Sequence, residues 1–170
     1  MVLNNYIIKI ADLDELESIF DQKIAKSDEP EIVRAQKMRR ITDAQNGTKL
    51  YFFGYLGNEV ICEANATISA NDVHTQNIDK VVSEDTAYLS AFLTREDVRG
   101  MGYFSKLYAY MEKHLKNLGF RYLTLGVEPD EDENKAIYSK WGYNELIYEG
   151  IETFDGMTVE VEYYRKKIGI

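Results

Sequence analysis

The centre of the chain contains a strand, a loop with two glycines, a long amphipathic helix and a second strand, in that order. Tyr88–Thr94 is mostly apolar, as is typical of a buried strand. Gly102–Leu118 has helical periodicity and is followed by Gly119, a common helix-ending residue. Its apolar stripe comprises Phe104, Leu107, Tyr108, Met111, Leu115 and Leu118. With the short apolar strand Tyr122–Val127, this order predicts an α/β fold.

The chain before this segment also contains strand and helix patterns. Asn5–Ile10 is predicted to be a strand, and Asp12 or Asp14 can cap the helix that follows it. The Ser27–Pro30 segment ends that helix, and a second helix is expected over Glu31–Ala44. We expect the second helix to bury the apolar face formed by Ile32, Val33, Ala35, Met38 and Ile41.

The two hairpins complete the predicted sheet. Leu50–Leu56 and Glu59–Ser69 flank a two-residue Gly-Asn turn, a strong hairpin signal. The polar segment Asn71–Asp85 is predicted to be a loop. The second hairpin joins Glu145–Thr153 to Met157–Lys166 through an Asp-Gly turn.

A short helix over Glu133–Trp141 precedes the second hairpin. No repeat or linker interrupts the sequence, so we expect one domain over residues 1–170. The predicted architecture is a single-domain α/β fold with a mixed sheet, an antiparallel first half and flanking helices.

Charge and composition exclude several classes of function. The net charge of −9 disfavours general binding to nucleic acids or anionic membranes. The opening MVLNNYIIKI is too short and too polar for a secretion signal, and no apolar run has membrane-spanning length. Two histidines, His74 and His114, cannot build a histidine-rich metal site, so we predict no metal. The one cysteine, Cys62, excludes an internal disulfide and is predicted to be a small buried hydrophobe.

The loop Arg99–Ser105 is the most informative segment for function. Its glycines allow close approach of the backbone to a ligand, and the following helix begins with positive partial charge. Such a loop can cradle a pyrophosphate, with Arg99 adding a formal charge. It lacks the third glycine of a dinucleotide fingerprint and the Gly-Lys-Ser/Thr of a P-loop. The alternative is that the glycines only turn a strand into a helix.

The loop resembles motif A of the GNAT acetyltransferase superfamily, Arg/Gln-x-x-Gly-x-Gly/Ala. Arg99 and Gly102 occupy the key positions, and Thr94 ends the strand as in that pattern. Tyr138–Tyr143 resembles the family's Tyr-x-x-Leu-Gly-Phe signature and begins eleven residues after Val127. The resemblance covers residues 50–166, and the N-terminal strand and two helices also fit it.

Two positions depart from the family's pattern. Phe104 replaces the final glycine or alanine of motif A. Glu131 replaces an asparagine that many members place seven residues before the tyrosine. Nearby Asn134 remains a candidate contact of coenzyme A, although the family usually has alanine there.

The resemblance implies acetyl-CoA as co-substrate, bound where the fourth and fifth strands splay apart. Backbone groups of Phe92, Leu93 and Thr94 would pair with the pantetheine arm, and Leu93 or Thr94 would polarise the thioester carbonyl. The phosphates would contact Arg99, Gly100, Met101, Gly102, Tyr103, Phe104 and Ser105.

Tyr138 matches the family's general acid by position, since a phenol with a pKa near 10 can protonate a thiolate. Tyr138 could instead simply pack under the loop. Glu63 is the candidate base because it is a carboxylate in an otherwise apolar strand. Ser90 and Tyr88 are alternatives that could hold a water molecule.

The resemblance therefore implies an N-acetyltransferase that acts on a primary amine of a small molecule or peptide. The lone cysteine and the lack of a secretion signal favour a cytoplasmic location. A homodimer is a candidate assembly, and the sequence leaves the oligomeric state open. The carboxylates between Glu128 and Glu133 could attract a cationic acceptor, although such a run is often only a solvated loop. The alternative function is a non-catalytic module that binds or senses acyl-CoA.

Overall fold

The computed structural model of the chain describes residues 5–170. Residues 1–4, the start of the segment that we expect to carry no secretion signal, lie outside the described part. The fold is α/β, with seven strands in a mixed sheet and flanking helices, as predicted. The described chain divides into two compact units. The first contains residues 5–65 and Ala91–Met111, and the second contains Ala66–Ser90 and Glu112–Ile170.

In the first unit the strand order is β1-β2-β3-β4, with β1 and β2 antiparallel. The elements are β1 (Tyr6–Ile10), α1 (Leu13–Lys26), α2 (Pro30–Gln45), β2 (Lys49–Leu56), β3 (Glu59–Thr67), the end of β4 (Thr86–Thr94) and the start of α4 (Tyr103–Asn117). Asp12 caps α1, since its Oδ1 accepts a hydrogen bond from the Glu15 amide at 2.8 Å. Leu16, Ile19 and Phe20 of α1 pack against Tyr51 and Phe53 of β2 to form the core of this unit.

In the second unit the strand order is β4-β5-β7-β6. It adds α3 (Ile78–Val81), β5 (Tyr122–Val127), α5 (Asp132–Lys140), β6 (Glu145–Phe154) and β7 (Met157–Lys167). β4 is parallel to β5, whereas β7 is antiparallel to both β5 and β6. The core of this unit comprises Val81, Val82, Tyr88, Val161 and Tyr163.

The pairing of β4 with β5 is short. It ends where Leu89 faces Leu125, although β5 continues to Val127. Two residues after Leu89, Ala91 has a φ of 55°, a left-handed conformation that costs a non-glycine residue about 1–2 kcal/mol. A left-handed residue inside a strand is typical of a bulge, which interrupts regular pairing.

Two sequence predictions for this fold were wrong. The predicted apolar face of α2 is only partly buried, because Met38 is 72% exposed and Ile32 and Ala35 are also exposed. The apolar residues Val33, Ile41 and Ala44 of α2 pack against the core of the first unit. The predicted loop Asn71–Asp85 contains α3 and buries Val81 and Val82, since these two residues fill the core of the second unit.

The bounds of α2, α4 and α5 differ from the predicted bounds by one residue at each end. The stripe of α4 is buried at Leu107, Tyr108, Met111 and Leu115, but Leu118 lies beyond the helix and is 54% exposed. None of the described helices combines the length and the apolar content that crossing a bilayer requires.

Candidate functional site

The loop between β4 and α4 has the backbone form that its glycines predict. A single turn of 3-10 helix, Glu96–Val98, follows β4 and was not predicted. Gly100 and Gly102 then adopt φ values of 75° and 87°, which side chains rarely allow. Because α4 begins at Tyr103, the two glycines place the start of a 15-residue helix directly after the turn.

The start of α4 can bind an anion. The Gly102 carbonyl accepts a hydrogen bond from the Lys106 amide at 3.3 Å. The backbone amides that come before Lys106 in the first turn therefore have no acceptor within the helix. These amides and the helix dipole favour negative charge. A Cβ built on Gly100 or Gly102 would meet nothing within 4 Å, so the space beside the loop is open. The backbone here therefore fits a pyrophosphate.

The arginines of the loop have different roles. The exposed Arg99 donates from Nε to the Thr94 carbonyl at 3.1 Å, which holds its side chain against the end of β4. Arg95 instead pairs with Asp97 at 2.6 Å and with Glu59 at 2.8 Å. Of these two arginines, Arg99 is therefore the one that is better placed to contact an anionic ligand.

Aromatic contacts fix the helix start. The Tyr6 hydroxyl donates to the Tyr103 carbonyl at 2.9 Å, and their ring centroids are 4.9 Å apart. Burial raises the pKa of Tyr6 well above its ordinary value, so the phenol remains a hydrogen-bond donor. The Phe104 ring lies 5.0 Å from that of Phe92. The phenylalanine that departs from motif A thus packs against the end of β4.

The residues predicted to face the thioester lie beside this loop in the first unit. Leu93 is 52% exposed, while Phe92 and Thr94 are half-buried. Cys62 is buried, with Sγ 3.8 Å from the Thr94 hydroxyl, which confirms that it is a buried hydrophobe. Burial also raises the pKa of the Cys62 thiol.

Glu63 lines a cavity of about 370 Å³ in the first unit. The cavity also contacts Lys23 of α1 and the Leu93, Thr94 and Arg99 side of the loop. Lys23 Nζ lies 2.7 Å from Glu63 Oε2; the carboxylate side chain is 9% exposed, against 34% for the lysine. The candidate base is therefore a buried, ion-paired carboxylate.

Asn65 is a second buried polar residue on β3, and sequence reasoning missed it. It lies two residues after Glu63, so both side chains point to the same face of the sheet. Asn65 is 6% exposed, and within residues 5–170 its Oδ1 has no hydrogen-bond partner. Such an orphan acceptor is costly, but the strand pattern alone gave no sign of it.

Tyr138 lies in the second unit on α5 and is half-buried, with its ring centroid 6.0 Å from that of Trp141. Burial, and to a lesser degree the Glu131 charge, raise the pKa of its phenol. The hydroxyl is therefore protonated at neutral pH, as an acid must be.

The asparagine and glutamate near Tyr138 contact each other. Asn134 Nδ2 donates to Glu131 Oε1 at 3.3 Å, and Glu131 Oε2 accepts the Glu128 amide at 3.0 Å. Glu131 thus holds the chain between β5 and α5. The Asn134 amide donates to this carboxylate, and its predicted contact with coenzyme A remains a prediction.

A large part of the chain matches a known protein family. The model of the acetyltransferase (GNAT) family matches residues 13–143. The chain belongs to the GNAT acetyltransferase family. Acetyl-CoA is the acetyl donor of this family.

Solved GNAT structures share the fold. A probable acetyltransferase from Staphylococcus epidermidis ATCC 12228 has a TM-score of 0.69 and 13% identity, covering 95% of this chain and 98% of that one. The ribosomal-protein-S18-alanine N-acetyltransferase from Escherichia coli has a TM-score of 0.66, 17% identity and coverage of 97% and 95%. RimL, a ribosomal L7/L12 alpha-N-protein acetyltransferase in complex with coenzyme A, has a TM-score of 0.64, 20% identity and coverage of 99% and 97%. Among curated protein sequences, none matches the chain significantly.

The first unit of this GNAT chain thus brings together most of the predicted site: the Phe92–Thr94 strand end, the Arg99–Ser105 loop and Glu63. Tyr138 and Asn134 lie in the second unit. Their roles toward coenzyme A stay predictions.

Proposed function

We propose that this GNAT protein transfers an acetyl group from acetyl-CoA to a primary amine of a small molecule or peptide. The observation that carries the proposal is the glycine loop, with φ values of 75° and 87°, at the start of α4 beside Arg99. Open space next to both glycines lets phosphate oxygens approach the backbone amides.

Acetyl-CoA supplies a thioester that is already activated, so no covalent enzyme nucleophile is needed. We propose that the amides of Gly100–Ser105 and the Arg99 guanidinium hold the phosphates. The backbone of Phe92–Thr94 would orient the pantetheine arm, with Leu93 or Thr94 polarising the carbonyl. Orientation of this kind can contribute about 7–11 kcal/mol to lowering the barrier.

The reaction requires a group that accepts a proton from the amine and a group that donates a proton to the leaving sulfur. An ammonium must lose one proton before its nitrogen lone pair can attack, and the forming amide nitrogen loses a second. We propose that the Glu63 carboxylate accepts the first proton, with Lys23 holding its position. The Tyr138 hydroxyl gives its proton to the sulfur as the carbon–sulfur bond breaks, and it recovers a proton from the amide nitrogen.

We further propose a cationic acceptor and a cytoplasmic location. The net charge of −9 and the carboxylates between Glu128 and Glu133 favour encounter with a cation. A lone cysteine gives no internal disulfide, which is in keeping with a reducing compartment.

The test compares ligand binding and turnover. Acetyl-CoA should raise the melting temperature, while ATP and NAD should not. Release of free coenzyme A should then require an added amine. Binding of acetyl-CoA without turnover on polyamines, basic peptides, aminoglycosides or amino acids would favour a non-catalytic acyl-CoA-binding module instead.

A further inference from the structure

The second unit contains a buried carboxylate that the proposed chemistry does not use. Glu152 of β6 is 9% exposed. It accepts a hydrogen bond from the Tyr163 hydroxyl, and the Tyr88 hydroxyl interacts with it. Asn77 Nδ2 in turn donates to the Tyr163 hydroxyl at 3.0 Å, which fixes that phenol. Within residues 5–170, no lysine, arginine or histidine forms an ion pair with Glu152.

The two phenols solvate the charge of Glu152 but do not neutralise it. Burial, followed by the effect of Glu152, raises the pKa of Tyr88 well above its ordinary value, and the same two causes raise the pKa of Tyr163. Both phenols therefore remain neutral donors. A carboxylate this deeply buried is normally paired with a cation.

Glu152 lines a cavity of about 150 Å³. This volume corresponds to roughly five water molecules, which is enough for a small ammonium group. The other lining residues include Tyr88, Val127, Glu128, Glu131 and Val161. Two more carboxylates therefore surround the same space, and the described lining residues include no cation.

The cavity lies close to the candidate acid. Glu131 lines the cavity and is also the N-cap of α5, the helix that carries Tyr138. A ligand in the cavity would thus lie at the N-terminal end of that helix.

We propose that this cavity binds a cationic nitrogen of the acceptor other than the nitrogen that is acetylated. Carboxylates favour the charged form of a neighbouring amine, so a nitrogen held here stays an ammonium and cannot attack a thioester. The reacting nitrogen must therefore be a second one. The acceptor class is then a molecule with at least two cationic nitrogens, such as a diamine or a basic peptide. This inference rests on the proposed function.

The test uses α,ω-diamines of three to six carbons and matched amino alcohols, in which a hydroxyl replaces the distant ammonium. Initial rates are measured at saturating acetyl-CoA. We expect the wild-type protein to prefer at least one diamine over its amino alcohol. Glu152→Gln should lower kcat/KM for that diamine roughly 10–100-fold, the effect of losing a charge-assisted hydrogen bond. The amino alcohol rate and the shift in melting temperature with acetyl-CoA should stay unchanged.

Glu149→Gln is the matched control, because Glu149 is exposed on the same strand as Glu152 and does not line the cavity. It should leave the diamine preference intact. An equal loss for diamine and amino alcohol with Glu152→Gln, or no loss at all, would overturn the proposal. If Glu152→Gln lacks a cooperative melting transition, Glu128→Gln, at another carboxylate of the cavity lining, replaces it. A selective loss for the diamine then supports the cavity, and an unselective effect refutes it.

Failure of the proposed function gives a different result. In that case acetyl-CoA stabilises the protein, but no amine is acetylated. The cavity is then tested by the melting temperature with the diamine alone. Stabilisation of the wild type but not of Glu152→Gln supports the cation site, whereas equal shifts reject it.

Discussion

Substitutions at Gly102 separate the two roles of the glycine loop, backbone turn and phosphate cradle. With φ at 87° and no heavy atom within 4 Å of an added Cβ, Gly102→Ala meets backbone strain but no clash. That strain should cost about 1–2 kcal/mol of unfolding free energy. For a chain of this size, the melting temperature should fall by about 2–8 °C.

Gly47→Ala is the matched control. Gly47 is also left-handed, with a φ of 70° and the same open space, but it lies in the turn between α2 and β2. Both alanine variants should lose similar stability. Only the Gly102 variant should also bind acetyl-CoA more weakly, because its Cβ projects into the proposed phosphate site.

Gly102→Glu adds a negative charge to the same position. At about 4 Å from a phosphate, repulsion amounts to about 1 kcal/mol in bulk water and about 4 kcal/mol at a protein surface. Affinity for acetyl-CoA should therefore fall roughly 5- to 1,000-fold.

Calorimetric titration and thermal melting provide the measurement. With acetyl-CoA at 100 times its dissociation constant, the wild-type protein should gain about 2.7 kcal/mol of unfolding free energy. This gain corresponds to a rise of about 5–11 °C in melting temperature. Full acetyl-CoA affinity in folded Gly102→Glu would refute the placement of the phosphates at this loop.

Four further predictions concern named side chains. Tyr138→Phe should lower turnover roughly 10²–10⁴-fold with little change in acetyl-CoA binding, as measured by steady-state kinetics and titration. The raised pKa of Tyr138 means that, as the pH rises, the alkaline loss of wild-type activity should begin only above the ordinary phenol pKa of about 10; an alkaline loss that begins at lower pH would contradict the acid role. Lys23→Met should destabilise by about 1–3 kcal/mol in chemical denaturation, more than Glu63→Gln, because it leaves the more deeply buried partner unpaired. The reverse order would show that the pair is not held as described. Asn65→Leu should raise the unfolding free energy by about 1–3 kcal/mol, since it removes an orphan acceptor with little change of shape. A destabilised variant would mean that the oxygen has a partner.

Periodicity and glycine placement predicted the elements around the site well. β5 was predicted at its observed bounds, and α4 begins one residue after the prediction, since apolar spacing and flanking glycines are local signals. The exposure of Met38 could not be predicted in this way. Helical spacing defines an apolar face, but it does not say whether a neighbouring element covers that face.

The site residues that sequence reasoning missed depend on tertiary contacts. Ala91 adopts a left-handed backbone conformation although it is not a glycine, so its residue type did not predict this conformation. Glu152 lies in a hairpin strand with two other glutamates, and only its contacts with Tyr88 and Tyr163 distinguish it. Polar residues become informative when the fold buries them, and burial on one face of a sheet depends on distant strands.

The position of β7 between β5 and β6 has a consequence for the order of events during synthesis. β5 lies beside β4 on one edge, but its other edge must stay open until β7 has been made, about 40 residues later. At translation rates of about 5–20 residues per second, that edge is unpaired for about 2–8 s. The nascent second unit therefore carries an exposed, largely apolar strand, to which chaperones or neighbouring chains can bind before the sheet closes.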